Sequence, residues 1–81
     1  MIYMFLADGF EEIEAITTID ILRRAELLIK TVGIGTPTPT GSHGIKVCAD
    51  LSEEQASFTD LEMVILPGGM PGTLNLEKSR V

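Results

Sequence analysis

Residues 2–7 (IYMFLA) form an unbroken apolar run, stopped by Asp8 and Gly9. A short run of strand formers ended by a turn pair predicts a strand buried on both faces, as in a parallel sheet. A helix is expected to start near Phe10 or Glu11. Glu11, Glu12 and Glu14 fall in its first turn, where the positive end of the helix dipole favours acids. Ile13, Ile16, Ile19 and Leu22, with Ile21, Ala25 and Leu28, predict a broad apolar face. Arg23 and Arg24 sit at the opposite end, where cations are favoured. Residues 27–33 (LLIKTVG) read as a second strand. Residues 35–44 (GTPTPTGSHG) read as a loop. Residues 45–49 (IKVCA) read as a short strand at an edge or in an antiparallel pair, because Lys46 alternates with apolar neighbours. Residues 51–61 are polar and acidic, with one helical turn expected around residues 52–55. Residues 62–66 (EMVIL) predict another buried strand, ended by Pro67, Gly68 and Gly69, and a second helix is expected to begin within residues 71–78.

The order β-α-β, a small strand or hairpin, then β, predicts an α/β fold on a parallel sheet. Two strands read as buried on both sides, yet one long helix is available to cover them. The second face therefore calls for cover: a C-terminal half beyond Val81, another polypeptide, or a second copy. At 81 residues the chain is close to half the length of one ordinary domain.

Composition narrows the function classes. The chain has 81 residues, 44% of them hydrophobic, which excludes a disordered tail. No apolar run is long enough for a membrane helix, and the first ten residues lack a basic region of the signal-peptide kind. Net charge is −6, with the six basic residues scattered, which argues against a nucleic-acid or anionic-membrane surface. One cysteine, Cys48, excludes an internal disulfide, and a cytoplasmic location is expected.

Few residues offer chemistry. Glu14 follows the turn after the first strand, and sites in open α/β sheets form beyond the carboxyl ends of strands. Pro67, Gly68 and Gly69 end the last strand, where glycines let backbone N–H groups approach a ligand or oxyanion. No Walker or GxGxxG spacing is present, so no cofactor is expected. Cys48 lies inside a predicted strand, and a reactive thiolate needs a helix N-terminus or cationic neighbours. His43 is the single histidine, so no metal cluster is expected around it.

Three stretches together carry a resemblance: ADGFEEIEAITTIDILRRA (7–25), GIKVCADLS (44–52) and DLEMVILPGGMPGTLNL (60–76). In this order and spacing they resemble the ThiJ/PfpI family, the superfamily of the Parkinsonism-associated deglycase-like protein. That family includes bacterial members described as thiazole-monophosphate-biosynthesis or protease-like proteins. The resemblance implies the N-terminal half of a flavodoxin-like (class I glutamine amidotransferase-like) α/β sandwich, usually a homodimer. It implies a cysteine nucleophile on a strand-to-helix elbow that falls beyond Val81, with Glu14 holding a proton against it and Gly69 giving the oxyanion contact. Arg24 matches a basic residue near the dimer interface. His43 stands where some relatives carry an anion-binding arginine. Cys48 matches a secondary cysteine and not the nucleophile. The implied parent is a glyoxalase-, deglycase- or hydrolase-like enzyme on small reactive carbonyls, with the 81 residues inert alone. The alternative is a non-catalytic redox-sensing, chaperone or binding member.

Overall fold

A computed structural model describes residues 1–57, 59 and 61–68. The elements are β1 (Ile2–Leu6), α1 (Glu12–Arg24), β2 (Ile29–Gly33), β3 (Leu51–Ser52) and β4 (Met63–Ile65). They form a four-stranded sheet in the order β3-β2-β1-β4, with every pair parallel. β1 is central: Ile2 to Leu6 pair with Ile29 to Gly33 on one edge, and Ile2 to Met4 with Met63 to Ile65 on the other. A strand with partners on both edges and apolar side chains on both faces gives the continuous apolar run seen in the sequence.

The alternation of β1 divides the core. Ile2, Met4 and Leu6 point to the face that packs Phe10, Ala15 and Ile29, with Ile19 and Leu22 partly buried beside them. Tyr3, Phe5 and Ala7 point to the other face, with Val32 and Ile34. Met1, Leu51, Ala56 and Leu61 pack against this second cluster. The Tyr3 hydroxyl donates to the Ser57 carbonyl (2.8 Å) and accepts from the Ser57 N–H (3.0 Å). The expectation that the second face lacks cover is therefore corrected around β1, where the segment between β3 and β4 supplies it. Within the sheet, apolar surface is exposed on the edge strand and just beyond it, at Met63, Val64 and Leu66.

α1 begins at Glu12, capped by Glu11, whose carboxylate accepts from the Ile13 N–H (2.7 Å). Its broad apolar face splits. Ala15, Ile19 and Leu22, at helical spacing, meet the sheet, while Ile13 (73%), Ile16 and Ile21 are exposed. A helix lying on a sheet buries one narrow arc, and these three isoleucines fall outside it.

Two further expectations are corrected. Residues 45–49 do not form a strand. They run back along residues 37–41 through a single antiparallel bridge, Thr40 with Lys46, and through Val47 and Ala49 N–H groups donating to the Pro39 and Pro37 carbonyls (both 3.0 Å). Pro37 and Pro39 have no N–H to return those bonds, so half the ladder is missing. Cys48 consequently lies on an exposed segment, not inside a strand. Residues 52–55 do turn, with Gln55 N–H donating to the Ser52 carbonyl (3.1 Å), but β3 precedes that turn and was not expected.

β3 is held by side chains more than by length. Asp50 Oδ2 accepts from the Thr31 N–H (2.9 Å), the Thr31 hydroxyl (3.1 Å) and Arg23 (2.9 Å), while Asp50 N–H donates to Thr31 Oγ1 (2.8 Å). Burial pushes the Asp50 carboxyl up, but the Thr31 donors and the Arg23 and Lys30 charges outweigh it and leave it lowered. Asp50→Ala is expected to cost about 1–3 kcal/mol, because it strands two donors of buried Thr31. Arg23→Ala removes only a half-exposed partner and is expected to cost less than about 1 kcal/mol. Urea unfolding midpoints check the order; equal losses would contradict it.

Candidate functional site at the carboxyl end of the first strand

The turn out of β1 is tight. Gly9 takes φ 93°, a left-handed conformation that glycine adopts without strain, and Phe10 plugs fully into the core just before the helix. This fixes the direction in which the first turn of α1 faces. Three features of that turn then reach out: the Glu11 N–H and the Glu12 and Glu14 carboxylates.

The first contact is with the segment that leaves β4. Glu11 N–H donates to the Gly68 carbonyl (2.9 Å), and Gly68 N–H donates to Glu14 Oε1 (3.1 Å). Gly68 thus presents both backbone groups to the start of α1. A Cβ at Gly68 would lie 2.8 Å from Glu14 Oε1, so the close approach depends on glycine. Glu14 itself is exposed. It stands where the ends of two parallel strands meet a helix start, the place where α/β sheets bind ligands. Gly69, the oxyanion residue expected from the sequence, lies outside the described residues.

The second contact is with the loop 41–45. Glu12 is buried, and its carboxylate is filled by that loop. Oε2 accepts from the N–H of His43 (2.8 Å) and of Ile45 (3.3 Å). Oε1 lies 3.0 Å from His43 Nδ1 and 3.4 Å from Ser42 Oγ. Gly41 lies so close to this carboxylate that a Cβ there would overlap it. Burial pushes Glu12 up, but the His43 ring, its own backbone and the His43 and Ile45 N–H groups outweigh it and hold it down at about 2. The bond to Glu12, with the charges of Glu12 and Glu11, raises His43 above 6.5 against a smaller effect of burial.

Sequence reasoning put Glu14 at this turn and treated Glu12 as an ordinary helix-start acid. Three neighbouring glutamates are alike in sequence, and only the packing of a distant loop separates the buried one from the others. His43 has an exposed ring that bonds to Glu12. Arg24 sits at the far end of α1, about 15 Å along the axis from Glu14, and its Nε donates to Asp20 (3.0 Å). No metal cluster was expected around His43, yet Glu11, Glu12 and His43 bring ligand atoms within 4.8 Å of one another. Both Glu12 oxygens are already taken by loop donors, so a cation there would have to displace them. A separate open cleft of about 210 Å³ lies past the carboxyl ends of β2 and β3, lined by Gly33, Gly35, Thr36, Pro37 and residues 52–54.

A model of the DJ-1/PfpI family matches residues 1–81. The chain belongs to the DJ-1/PfpI family. The sequence resemblance to ThiJ/PfpI proteins therefore stands, as does the reading of the fold as the N-terminal half of that family's α/β sandwich. The chain is 35% identical over 78 residues to the Parkinson disease protein 7 homolog of Danio rerio, covering 94% of this chain and 41% of that one. It is similar in structure to a DJ-1 superfamily protein of Salmonella typhimurium solved as a cysteine-to-alanine mutant (TM-score 0.90, 35% identity, 96% of this chain and 43% of that one). It is similar also to oxidized Toxoplasma gondii DJ-1 (TM-score 0.91, 31% identity, 98% and 44%). The chain thus spans less than half the length of these DJ-1 relatives. No helix among its described residues is long and apolar enough to cross a membrane.

Glu12 stabilises the fold only while charged. Its folded value lies below its ordinary 4.5, so its contribution is complete above 4.5 and is lost as pH falls toward about 2. Urea unfolding across that window is expected to show a steeper loss of stability in the native protein than in Glu12→Gln. Parallel slopes would contradict the buried-carboxylate account.

Proposed function

We propose that this chain is the N-terminal half of a cysteine-dependent DJ-1/PfpI enzyme acting on small reactive carbonyls, with glyoxalase-, deglycase- or hydrolase-like chemistry. The observation that carries the reading is the Glu14 carboxylate bonded to the Gly68 N–H where β1 and β4 end. A carboxyl group fixed there is suited to hold a proton against a cysteine brought in by the other half of the domain. The cysteine thiolate attacks the carbonyl carbon, and the C=O electron pair moves to oxygen. The Gly69 N–H stabilises that oxyanion, and Glu14 supplies or takes up the proton as the adduct forms and breaks down. Cys48 is not assigned this role: it lies on the exposed segment between the Thr40–Lys46 bridge and β3, and the resemblance matches it to a secondary cysteine.

The family resemblance adds a homodimer to this reading. The exposed stripe of Ile13, Ile16 and Ile21 on α1 suits a subunit contact, with Arg24 at its end, and the acidic net charge suits a cytoplasmic protein without nucleic-acid partners. A second reading, a redox sensor in which the same cysteine is oxidised beside Glu14, is favoured by the oxidized state in which the Toxoplasma gondii relative was solved.

Methylglyoxal turnover separates the two. The longer protein is expected to consume it, and Glu14→Gln to lower kcat by about 10²–10⁴-fold with unchanged circular dichroism. The 81-residue chain alone is expected to be inert. Turnover by that chain, abolished by Cys48→Ser, would overturn the assignment, and an inactive longer protein would favour the sensor.

A further inference from the structure

The loop 41–45 and the first turn of α1 are joined at one carboxylate. Among the described residues, its partners outside its own helix come from that loop: two backbone N–H groups, a hydroxyl and an imidazole. The loop is shaped for this contact. Gly41 leaves the space the carboxylate fills, and Gly44 takes φ 86° as the chain turns back toward Ile45. The loop also lies along the turn out of β1: Gly9 N–H donates to the Thr40 carbonyl (2.8 Å), Ser42 N–H to the Phe10 carbonyl (2.8 Å), and Thr40 N–H to Asp8 Oδ1 (2.9 Å).

We propose that Glu12 and His43 form a proton-operated clasp that fastens this loop to the start of α1, tight when the imidazole is charged and loosened when it is neutral. The two partners differ in access to water. The Glu12 side chain is 6% exposed and His43 is 71% exposed. The imidazole can therefore exchange its proton with solvent while the carboxylate stays charged and enclosed. The charged groups facing the ring are Glu12 and Glu11, both on α1 and both negative. Neutralising the ring leaves Glu12 with neutral donors alone, which are weaker partners for a buried charge. Because the folded value of His43 is raised, its stabilising contribution is complete below 6.5 and is lost as pH rises through the higher folded value. This inference goes beyond the carbonyl reading and does not depend on it. Its consequence is that the rim of the β1–α1 turn, two residues from Glu14, tightens and loosens as His43 gains and loses its proton.

Proton NMR gives the test, since His43 is the single histidine and its Cε1–H signal is unambiguous. Its midpoint is expected above 6.5, and Glu12→Gln is expected to lower it toward 6.5, with the Glu11 charge still in place. The amides of His43 and Ile45, corrected for base catalysis, are expected to lose protection as pH rises through the midpoint. The loss should be about tenfold for each unit by which the midpoint exceeds 6.5. Should Glu12→Gln fail to fold, His43→Gln alters an exposed ring and should make the protection independent of pH. A native midpoint at or below 6.5, or protection that varies with pH equally in His43→Gln, would overturn the clasp.

Discussion

β1 is paired on both edges and covered on both faces, so the point where it ends is fixed in all directions. Five residues of backbone bond to β2, three to β4, and the alternating side chains enter two separate clusters. Gly9 and Phe10 then turn the chain with little freedom, one by its left-handed backbone and the other by full burial. Everything that gives this molecule a site follows from that constraint. The first turn of α1 has one position available, and from it Glu11 and Glu14 meet Gly68 while Glu12 meets the loop 41–45.

The same turn combines two electrostatic regimes. Glu14 is exposed and bonded to the Gly68 N–H. Glu12, two residues earlier, is enclosed and saturated with donors, which makes it a structural anion. A helix start stabilises either charge, so the dipole does not separate their roles. What separates them is the direction each side chain takes off the helix and what the rest of the chain has placed there.

Much of this was legible in the sequence because burial on both faces writes itself as an apolar run. β1, β2 and the placing of α1 follow from such runs and from the turn residues that end them; β4 is a strand where one was expected, but its expected burial is corrected, because it lies at the sheet edge with Met63 and Val64 exposed. β3 was not legible: two residues have no period, and the strand is specified by Asp50 reaching Thr31 on the neighbouring strand. Residues 45–49 alternate as a strand should, but Pro37 and Pro39 on the facing arm withhold the N–H groups that a ladder needs. Glu14 was singled out from its place after a strand-ending turn. Glu12 was missed because its partners lie about thirty residues away, beyond the reach of any local pattern.

The central claim is that the start of α1 holds Glu14 against the turn after β4, ready to share a proton with a cysteine. A crystal structure of the longer protein tests it most directly. The account predicts a Glu14 carboxylate oxygen within hydrogen-bond reach of both the Gly68 N–H and a cysteine sulfur. Glu14 turned to solvent, or a cysteine placed away from that carboxylate, would contradict it.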